Sequence, residues 1–292
     1  MAVGDLKYQF TQMGAVGKLI LINVAVFILD GLITFFFQLP FLTIKEWFWL
    51  PKDLLQFLGQ PWGILSYSFF HNDILHIFFN MLILYFSGRI ISNLFGDKRF
   101  LTIYFLGVIL GGLFFMLSYN LFPVFLDIKV AGVYGASAGA MATLIFICAY
   151  LPNKEVRVIF FTLKLWHIGV FFVVLDLVQI PTGDNAGGRL AHLGGALLGY
   201  VYATQLGKGR DIGSGFSNFV DGIVNAFKKK EKKAPLKTVY RSERKTAVKK
   251  TDFSKETKQR KIDNILDKIS KSGYESLSKA EKDFLFKAGK ED

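Results

Sequence analysis

Long apolar runs separated by short polar segments dominate the first two thirds of the chain. A helix needs about 20 mostly apolar residues to cross the roughly 30 Å hydrocarbon core of a bilayer. Six runs predict such helices, at residues 18–39, 62–90, 100–122, 134–151, 158–180 and 190–206. Asp73 interrupts the second run and suits a helix N-cap, so we expect that span to begin near Ile74. The pattern predicts an all-α polytopic membrane protein with six transmembrane helices.

Residues after 206 follow a different pattern. Apolar residues recur at helical spacing up to Phe227 and three lysines follow, which is typical of an amphipathic helix on an anionic inner leaflet. A charged stretch poor in apolar side chains comes next, and then helical periodicity returns with a capping box at Ser278-Lys279-Ala280-Glu281. The chain is therefore predicted to have four parts: a membrane domain (1–206), an amphipathic interfacial helix (207–230), a basic linker (231–256) and a small helical C-terminal hairpin (257–292).

Charge is distributed as unevenly as hydrophobicity. The net charge is +12, of which +10 lies in residues 207–292, although only 20% of all residues are charged and 52% are hydrophobic. This balance excludes an ordinary soluble enzyme and a disordered chain, and the single Cys148 excludes a disulfide scaffold. A basic tail beside membrane spans is more simply a cytoplasmic segment than a nucleic-acid-binding one. The expected partners are therefore the bilayer and anionic inner-leaflet lipids, and no nucleic acid.

The positions of Lys and Arg in the short loops predict the orientation. With the N-terminus inside, the inner segments before the tail hold eight basic residues and the outer segments hold four. The 23 basic residues after 206 also lie inside when the number of spans is even. The positive-inside rule therefore places both termini on the inner side of what we expect to be a bacterial cytoplasmic (inner) membrane.

Four polar positions in the predicted spans fall on the outer side under this orientation. They are the segment His71–Asn80, the start of the fourth span at Gly135–Gly139, His192 at the start of the sixth, and Asp176 near the outer end of the fifth. Polar groups inside a membrane are costly and usually functional. For Asp176, as for Asp30 in the first span, the simplest interpretation is a satisfied residue near a helix end, and the roles of both stay open.

The three histidines of this group do not match a metal site. His71 and His76 lie five residues apart, about 140° around a helix, so they do not share a face, and no HExxH pattern accompanies them. His76 and Asn80 lie four residues apart and do share a face. Two hydrogen-bond donors on one wall suit an oxyanion, so the sequence predicts no metal and no cofactor.

Small residues flank both Ser137 and His192. Gly135-x-x-x-Gly139 and Gly195-x-x-x-Gly199 are patterns that pack helices closely, and packing alone is one explanation of them. Together they also allow the fourth and sixth spans to approach closely enough for a serine–histidine hydrogen bond. A serine hydroxyl becomes a nucleophile when a base removes its proton, and histidine is the usual base. Free N–H groups at the start of the fourth helix would face the oxygen that becomes negative.

These motifs resemble, over about residues 18–206, those of the bacterial rhomboid intramembrane serine proteases: His71-x4-His76-x3-Asn80, Gly135-x-Ser137 and Ala191-His192-x-x-Gly195. The resemblance implies a six-span bundle in which Ser137 is the nucleophile and His192 the general base, a dyad without a third acid. It implies an oxyanion hole made of His76, Asn80 and the backbone N–H at Ser137, with His71 and Gly135 in supporting roles. Ala138 stands where the family usually has glycine. Because alanine keeps the N–H, we expect it to be tolerated.

The same resemblance implies the substrate class. Members of the family cleave single-pass membrane proteins near the outer membrane face and admit them past the fifth span. The alternative is a catalytically weak or inactive rhomboid-like protein that binds membrane clients, and the presence of Ser137 and His192 favours the protease. A transporter would show internal repeats and charges near the midplane, which the sequence lacks. The natural substrate, the preferred bond, the oligomeric state and any partner of the tail stay open.

Overall fold

Helices account for most of the chain that the computed structural model describes, namely residues 3–128, 132–158, 161–182, 185–227 and 251–289. In chain order the α-helices are α1 (Val3–Gln12), α2 (Ala15–Phe36), α3 (Thr43–Phe48), α4 (Leu54–Gly59), α5 (Gly63–Ser66), α6 (Ile74–Phe95), α7 (Asp97–Leu121), α8 (Pro123–Leu126), α9 (Ser137–Tyr150), α10 (Leu165–Gln179), α11 (Ala186–Gly207), α12 (Ser214–Phe227), α13 (Thr251–Ser272) and α14 (Lys279–Ala288). Antiparallel pairs join β1 (Leu50–Pro51) to β2 (Gly132–Val133) and β3 (Glu155–Val158) to β4 (Phe161–Lys164). Contacts divide the chain into two units, residues 1–229 and 230–292.

Six of these helices occupy the six predicted spans. Among the described residues, four regions are long and apolar enough to cross a membrane, namely α2, α6, α7, and α10 with the turn that follows it to Thr182. Helix α9 is apolar but has only 14 residues, about 21 Å at 1.5 Å per residue. Helix α11 has 22 residues and is rich in glycine and alanine. The prediction of an all-α, polytopic membrane protein is confirmed.

The second span begins where its capping residue predicts. Asp73 is the N-cap of α6, and its carboxylate accepts hydrogen bonds from the N–H groups of Leu75 and His76, both at 2.9 Å. These bonds to the charged form lower the pKa of the Asp73 carboxyl. The preceding stretch forms α5 and a 3-10 turn at Tyr67–Phe69. His71 therefore lies just outside the spanning helix, whereas His76 and Asn80 lie within its first two turns.

The fifth span begins later than its apolar run predicts. The run started at 158, whereas α10 starts at Leu165 and a hairpin of β3 and β4 precedes it. Along β4, apolar Phe161 and Leu163 alternate with polar Thr162 and Lys164, and this period of two is typical of a strand. The prediction of a helix over the first residues of this run was therefore wrong. The run is apolar on average, but the alternation of apolar and polar side chains there favours a strand.

Helices α9 and α11 form the centre of the bundle. Every residue of α9 from Ala138 to Cys148 is buried, and α11 packs against α9 and α7 more extensively than against any other element. A Cβ built on Gly195 would lie 2.1 Å from the carbonyl oxygen of Ala138, and one on Gly199 would lie 2.3 Å from that of Ala142. Two turns of α11 therefore rest directly on the backbone of α9, as the small-residue patterns predicted.

Polar side chains inside the membrane unit pair with one another. Lys45 donates to Asp30 at 2.6 Å, and both side chains are almost fully buried. Asp30 therefore matches the interpretation of a satisfied residue near a helix end. The hydroxyls of Ser87 on α6 and Thr143 on α9 lie 2.8 Å apart in the core. Since unpaired polar groups are costly away from water, these contacts join the helices in a definite arrangement.

The segment that follows α11 is tied to the start of α7. Asp211 accepts hydrogen bonds from Arg99 at 2.6 Å and from Tyr202 at 2.5 Å, and Lys98 lies 2.5 Å from Asp221 of α12. The apolar stripe of α12 is exposed at Phe219, Val220, Ile223 and Val224. The predicted lysine run at 228–230 and residues 231–250 of the predicted linker lie outside the described residues.

The second unit contains α13 and α14, joined by a 3-10 turn at Tyr274–Ser276. The predicted capping box is present: the Glu281 N–H donates to the hydroxyl of Ser278, and the Ser278 N–H donates to the Glu281 carboxylate at 2.7 Å. Lys268 of α13 contacts Glu281 at 3.0 Å, which joins the two helices. Helix α13 begins at Thr251, five residues before the predicted end of the linker.

Replacement of Gly199 by alanine should destabilise the bundle. The new Cβ would lie 2.3 Å from the Ala142 carbonyl oxygen and 2.9 Å from the Phe146 nitrogen, and backbone atoms cannot move aside cheaply. We expect a loss of about 1–3 kcal/mol in the free energy of unfolding, typical of an overpacked core, measured by thermal or denaturant unfolding in detergent. Gly31→Ala is the matched control, because nothing lies within 4 Å of a Cβ there. Equal effects of the two substitutions would contradict the packing.

Acid should weaken the helix pair of the second unit. Hydrogen bonds from Ser278, first through its N–H, and from Lys268 lower the pKa of Glu281 from 4.5 to about 2. The contribution of Glu281 to stability is therefore fully present above its unfolded pKa of about 4.5 and is lost as pH falls through about 2. Amide exchange in α14 of the full chain, followed from neutral pH downwards, should show this loss, and Glu281→Gln should remove it. An unchanged acid profile in Glu281→Gln would contradict the assignment.

Candidate active site

Ser137 is the first residue of α9, the short central helix. The preceding Gly135 has φ +137° and donates its N–H to the carbonyl of Tyr67 at 2.9 Å. This turn presents Ser137 at the helix start, where it is partly exposed although Ala136 and Ala138 on either side are buried. The first N–H groups of a helix have no partner within it. The serine hydroxyl therefore lies beside free backbone donors.

Gly135 leaves a small space that His76 and Ser137 border. A Cβ built on Gly135 would lie 2.9 Å from His76 Nε2 and 3.5 Å from Ser137 Oγ. Both the positive φ and the lack of room require glycine at this position. His76 Nε2 and Ser137 Oγ thus border the same space beside Gly135, as the predicted oxyanion hole requires.

His71 contacts the backbone just before Ser137. Its ring is buried, and its Nε2 accepts a hydrogen bond from the Ala136 N–H at 3.4 Å. Burial, followed by the neighbouring His76, lowers the pKa of His71, so the ring stays neutral and can accept this bond. The His71 and His76 rings meet edge to face with centroids 5.1 Å apart. His71 therefore contacts both the Ala136 N–H before the serine and the His76 ring, which is consistent with the supporting role predicted for it.

Asn80 lies on α6 one turn after His76, on the same face. The side chain is buried, and its Nδ2 has no hydrogen-bond partner among the residues that the structure describes. A buried donor without a partner costs free energy. The amide is therefore available to an oxygen bound beside His76, which is the role predicted for it.

His192 lies on α11 one turn before Gly195, the residue that touches the Ala138 carbonyl. Ser137 and His192 consequently flank the closest contact between α9 and α11. The hydrogen bonds formed by the described residues do not include one between Ser137 Oγ and the His192 ring, so the predicted bond is absent from this state. Such bonds are often long in unliganded enzymes and shorten when substrate binds.

Ala138 replaces glycine in the serine motif without crowding the bundle. A Cβ built on Gly111 of α7 would lie 2.6 Å from the Ala138 Cβ, so the alanine methyl occupies room that Gly111 leaves. Gly111 also lies against the carbonyl of Ala191, next to His192. One glycine on α7 therefore accommodates both α9 and α11.

Asp176 is a residue beside this site whose role the sequence left open. Both of its carboxylate oxygens lie 3.1 Å from His192 Nδ1, and Arg189 Nη1 lies 3.7 Å from Oδ1. The sequence predicts a dyad without a third acid, and in the structure α10 places the Asp176 carboxylate beside the His192 ring. The available signal was an acid at the outer end of the fifth span, but the sequence does not show which face of α10 meets α11.

A polar cavity of about 400 Å³ borders the site. It is lined by Asn72, Asp73, His76, Gly132, Tyr134 and Asn185. Irregular backbone and polar groups at membrane depth are tolerated where they line a water-filled space. Within the described ranges, no group of three or more His, Cys, Asp or Glu side chains could hold a metal ion. The arrangement joins a hydroxyl, an imidazole and several hydrogen-bond donors, which is suited to acyl transfer.

Comparison with known proteins shows two family matches. The profile of the Rhomboid domain matches residues 58–209, which include every site residue above. A family of unknown function, DUF6576, matches residues 245–288. The second match covers all of α13 and α14 and all but the last described residue of the second unit, and it carries no activity.

Curated relatives extend the first match. RHOMBOID-like protein 12, mitochondrial, of Arabidopsis thaliana is 29% identical over 163 residues, which cover 52% of this chain and 48% of that protein. Rhomboid protease GluP of Bacillus subtilis is 29% identical over 155 residues, 51% of this chain and 27% of that protein. Rhomboid protein 1, mitochondrial, of Saccharomyces cerevisiae is 26% identical over 193 residues, 64% of this chain and 51% of that protein. The chain spans about half or less of the length of these relatives.

Proposed function

The chain belongs to the rhomboid family, and from this membership and the site geometry we propose that it is an intramembrane serine endopeptidase. The observation that carries the proposal is the position of Ser137 and His192 on either side of the Ala138–Gly195 contact. The relative GluP is named a rhomboid protease. The substrates we propose are single-pass membrane proteins, cleaved near the outer membrane face.

In the proposed reaction, Ser137 Oγ attacks the carbonyl carbon of the scissile peptide while His192 takes the hydroxyl proton. The carbonyl oxygen becomes negative and receives hydrogen bonds from His76, Asn80 and free N–H groups at the start of α9. The C–N bond then breaks, and His192 returns the proton to the leaving amine. Water from the polar cavity beside His76 then attacks the acyl carbon while His192 takes a proton from it; the C–O bond to Ser137 breaks, and His192 returns the proton to Oγ.

The depth of the serine supports cleavage inside the membrane. Helix α9 has 14 residues, about 21 Å of rise, whereas the hydrocarbon core is about 30 Å thick. A peptide at that depth must unwind to be attacked, and it would be shielded from lipid by the residues around the cavity. We propose that substrate reaches Ser137 past α10, seven of whose 15 side chains are exposed to the surroundings.

We further propose a bacterial cytoplasmic membrane with both termini inside. The excess of Lys and Arg in the inner loops supports this orientation, and so does the relative from Bacillus subtilis. The exposed apolar stripe of α12 would then lie on the inner leaflet, with the lysines that follow it attracted to anionic headgroups. The tail would hold or select partners and take no part in the chemistry.

Labelling of Ser137 by an activated fluorophosphonate tests the proposed activity. We expect labelling of the folded full chain in detergent, and none in Ser137→Ala. Ser137→Ala and His192→Ala should each abolish cleavage of a model single-pass substrate, because nucleophile and base act as one unit.

The double variant Ser137→Ala/His192→Ala should therefore be no worse than either single variant. A much larger loss in the double variant would contradict the assignment. Absence of Ser137-dependent labelling in folded wild-type protein would favour the alternative, a catalytically weak or inactive protein that binds membrane clients.

Limited proteolysis tests the orientation and the proposed lipid contact. In vesicles of known sidedness, residues after 207 should be cut only from the inner side. Cleavage within α12 should be slower in anionic than in neutral vesicles, and the difference should shrink as salt rises, because screening weakens the attraction of lysine to headgroups. Cleavage of the tail from the outer side would contradict the orientation, and equal rates in both vesicle types would contradict the lipid contact.

A further inference from the structure

We propose that Asp176 is a positioning residue that orients His192, so that the site works as a Ser137–His192–Asp176 triad. The inference rests on the proposed function, since it assigns His192 the role of base. It goes beyond the dyad, because a carboxylate on α10 then takes part in a reaction whose other groups lie on α6, α9 and α11.

The contact is directed at one ring nitrogen. Both Asp176 oxygens lie 3.1 Å from His192 Nδ1, within hydrogen-bond distance, and the side chains of Asp176 and His192 are 8% and 20% exposed. A hydrogen bond to a carboxylate is stronger than one between neutral groups, and more so where water is largely excluded. The carboxylate is therefore able to hold the ring in one orientation.

Orientation determines which nitrogen is the base. A carboxylate can only accept a hydrogen bond, so Nδ1 carries the proton and the lone pair remains on Nε2. Nε2 is then the nitrogen that takes the Ser137 proton and later returns it to the leaving amine. Asp176 keeps its charge throughout and stabilises the imidazolium that forms in between.

Asp176 also has a structural contact, which defines the competing explanation. Arg189 Nη1 lies 3.7 Å from the carboxylate and also donates to Gln179, one turn after Asp176 on α10. These contacts join α10 to α11 at the same level as His192. If Asp176 acted only as a link between the two helices, loss of Gln179 would have a comparable effect, and the His192 ring would keep its tautomer.

The nitrogen spectrum of the His192 ring separates the two explanations. The chain has only four histidines, so the signals of the ¹⁵N-labelled full chain in detergent can be assigned by replacing each in turn. Wild-type protein at neutral pH should show His192 with its proton on Nδ1. Asp176→Asn should shift the proton towards Nε2, because an amide can donate to Nδ1. A wild-type ring protonated on Nε2 overturns the proposal without any variant.

Kinetics of the same proteins give the second readout. Asp176→Asn should lower kcat by about 10⁴-fold, the loss seen when the acid of a serine-protease triad is removed, with little change in KM. Asp176→Glu, which keeps a carboxylate, should recover part of this loss. Gln179→Ala is the matched control: it removes a contact between the same two helices and should stay close to wild type.

Two results overturn the proposal while leaving the proposed function intact: wild-type kcat in Asp176→Asn, or an equal loss in Asp176→Asn and Gln179→Ala with an unchanged tautomer. Failure of the proposed function looks different, since wild-type protein would then neither cleave substrate nor label at Ser137. In that case the spectrum alone decides whether Asp176 orients the ring. If Asp176→Asn does not fold, the wild-type spectrum and Asp176→Glu still decide.

Discussion

The backbone contact between α9 and α11 is the constraint on which the rest of the molecule depends. Gly195 and Gly199 let α11 rest on the carbonyl groups of Ala138 and Ala142, at a distance that any side chain would prevent. Because lipid offers little hydrophobic drive for helix association, close packing of small residues replaces it. The same contact places Ser137 and His192 at the same depth in the bundle, because each lies within one turn of it. The packing of the helices and the candidate chemistry therefore depend on one feature.

Several buried polar groups in the bundle are paired, because a polar group away from water costs free energy unless it is hydrogen-bonded. Lys45 with Asp30 and Ser87 with Thr143 are paired within the protein, and each pair fixes the relation of two elements. Among the site residues, His71 Nδ1 and Asn80 Nδ2 are buried without a hydrogen-bond partner in the described part of the chain. A donor kept unpaired in this way is already directed when a negative oxygen arrives, so no reorganisation is needed.

The two units of the chain rely on different forces. In the membrane unit, apolar side chains face their surroundings and small residues pack inside. In the second unit, a capping box and the Lys268–Glu281 contact join α13 and α14, and few residues are buried, among them Ile265 and Leu277. Helices with so little core depend more on local polar contacts.

The sequence alone determined the helical class, the order and approximate positions of the six spans, the start of α6 directly after Asp73, and the choice of Ser137, His192, His76 and Asn80 as candidate site residues. Such features follow from local hydrophobicity, capping and spacing. Only the tertiary structure decided that Asp176 meets His192, that Gly111 makes room for Ala138, and that the predicted Ser137–His192 bond is open in this state. The reason is physical: a helix that is apolar on all sides carries little sign of its rotation about its own axis, and that rotation is set by packing against its neighbours.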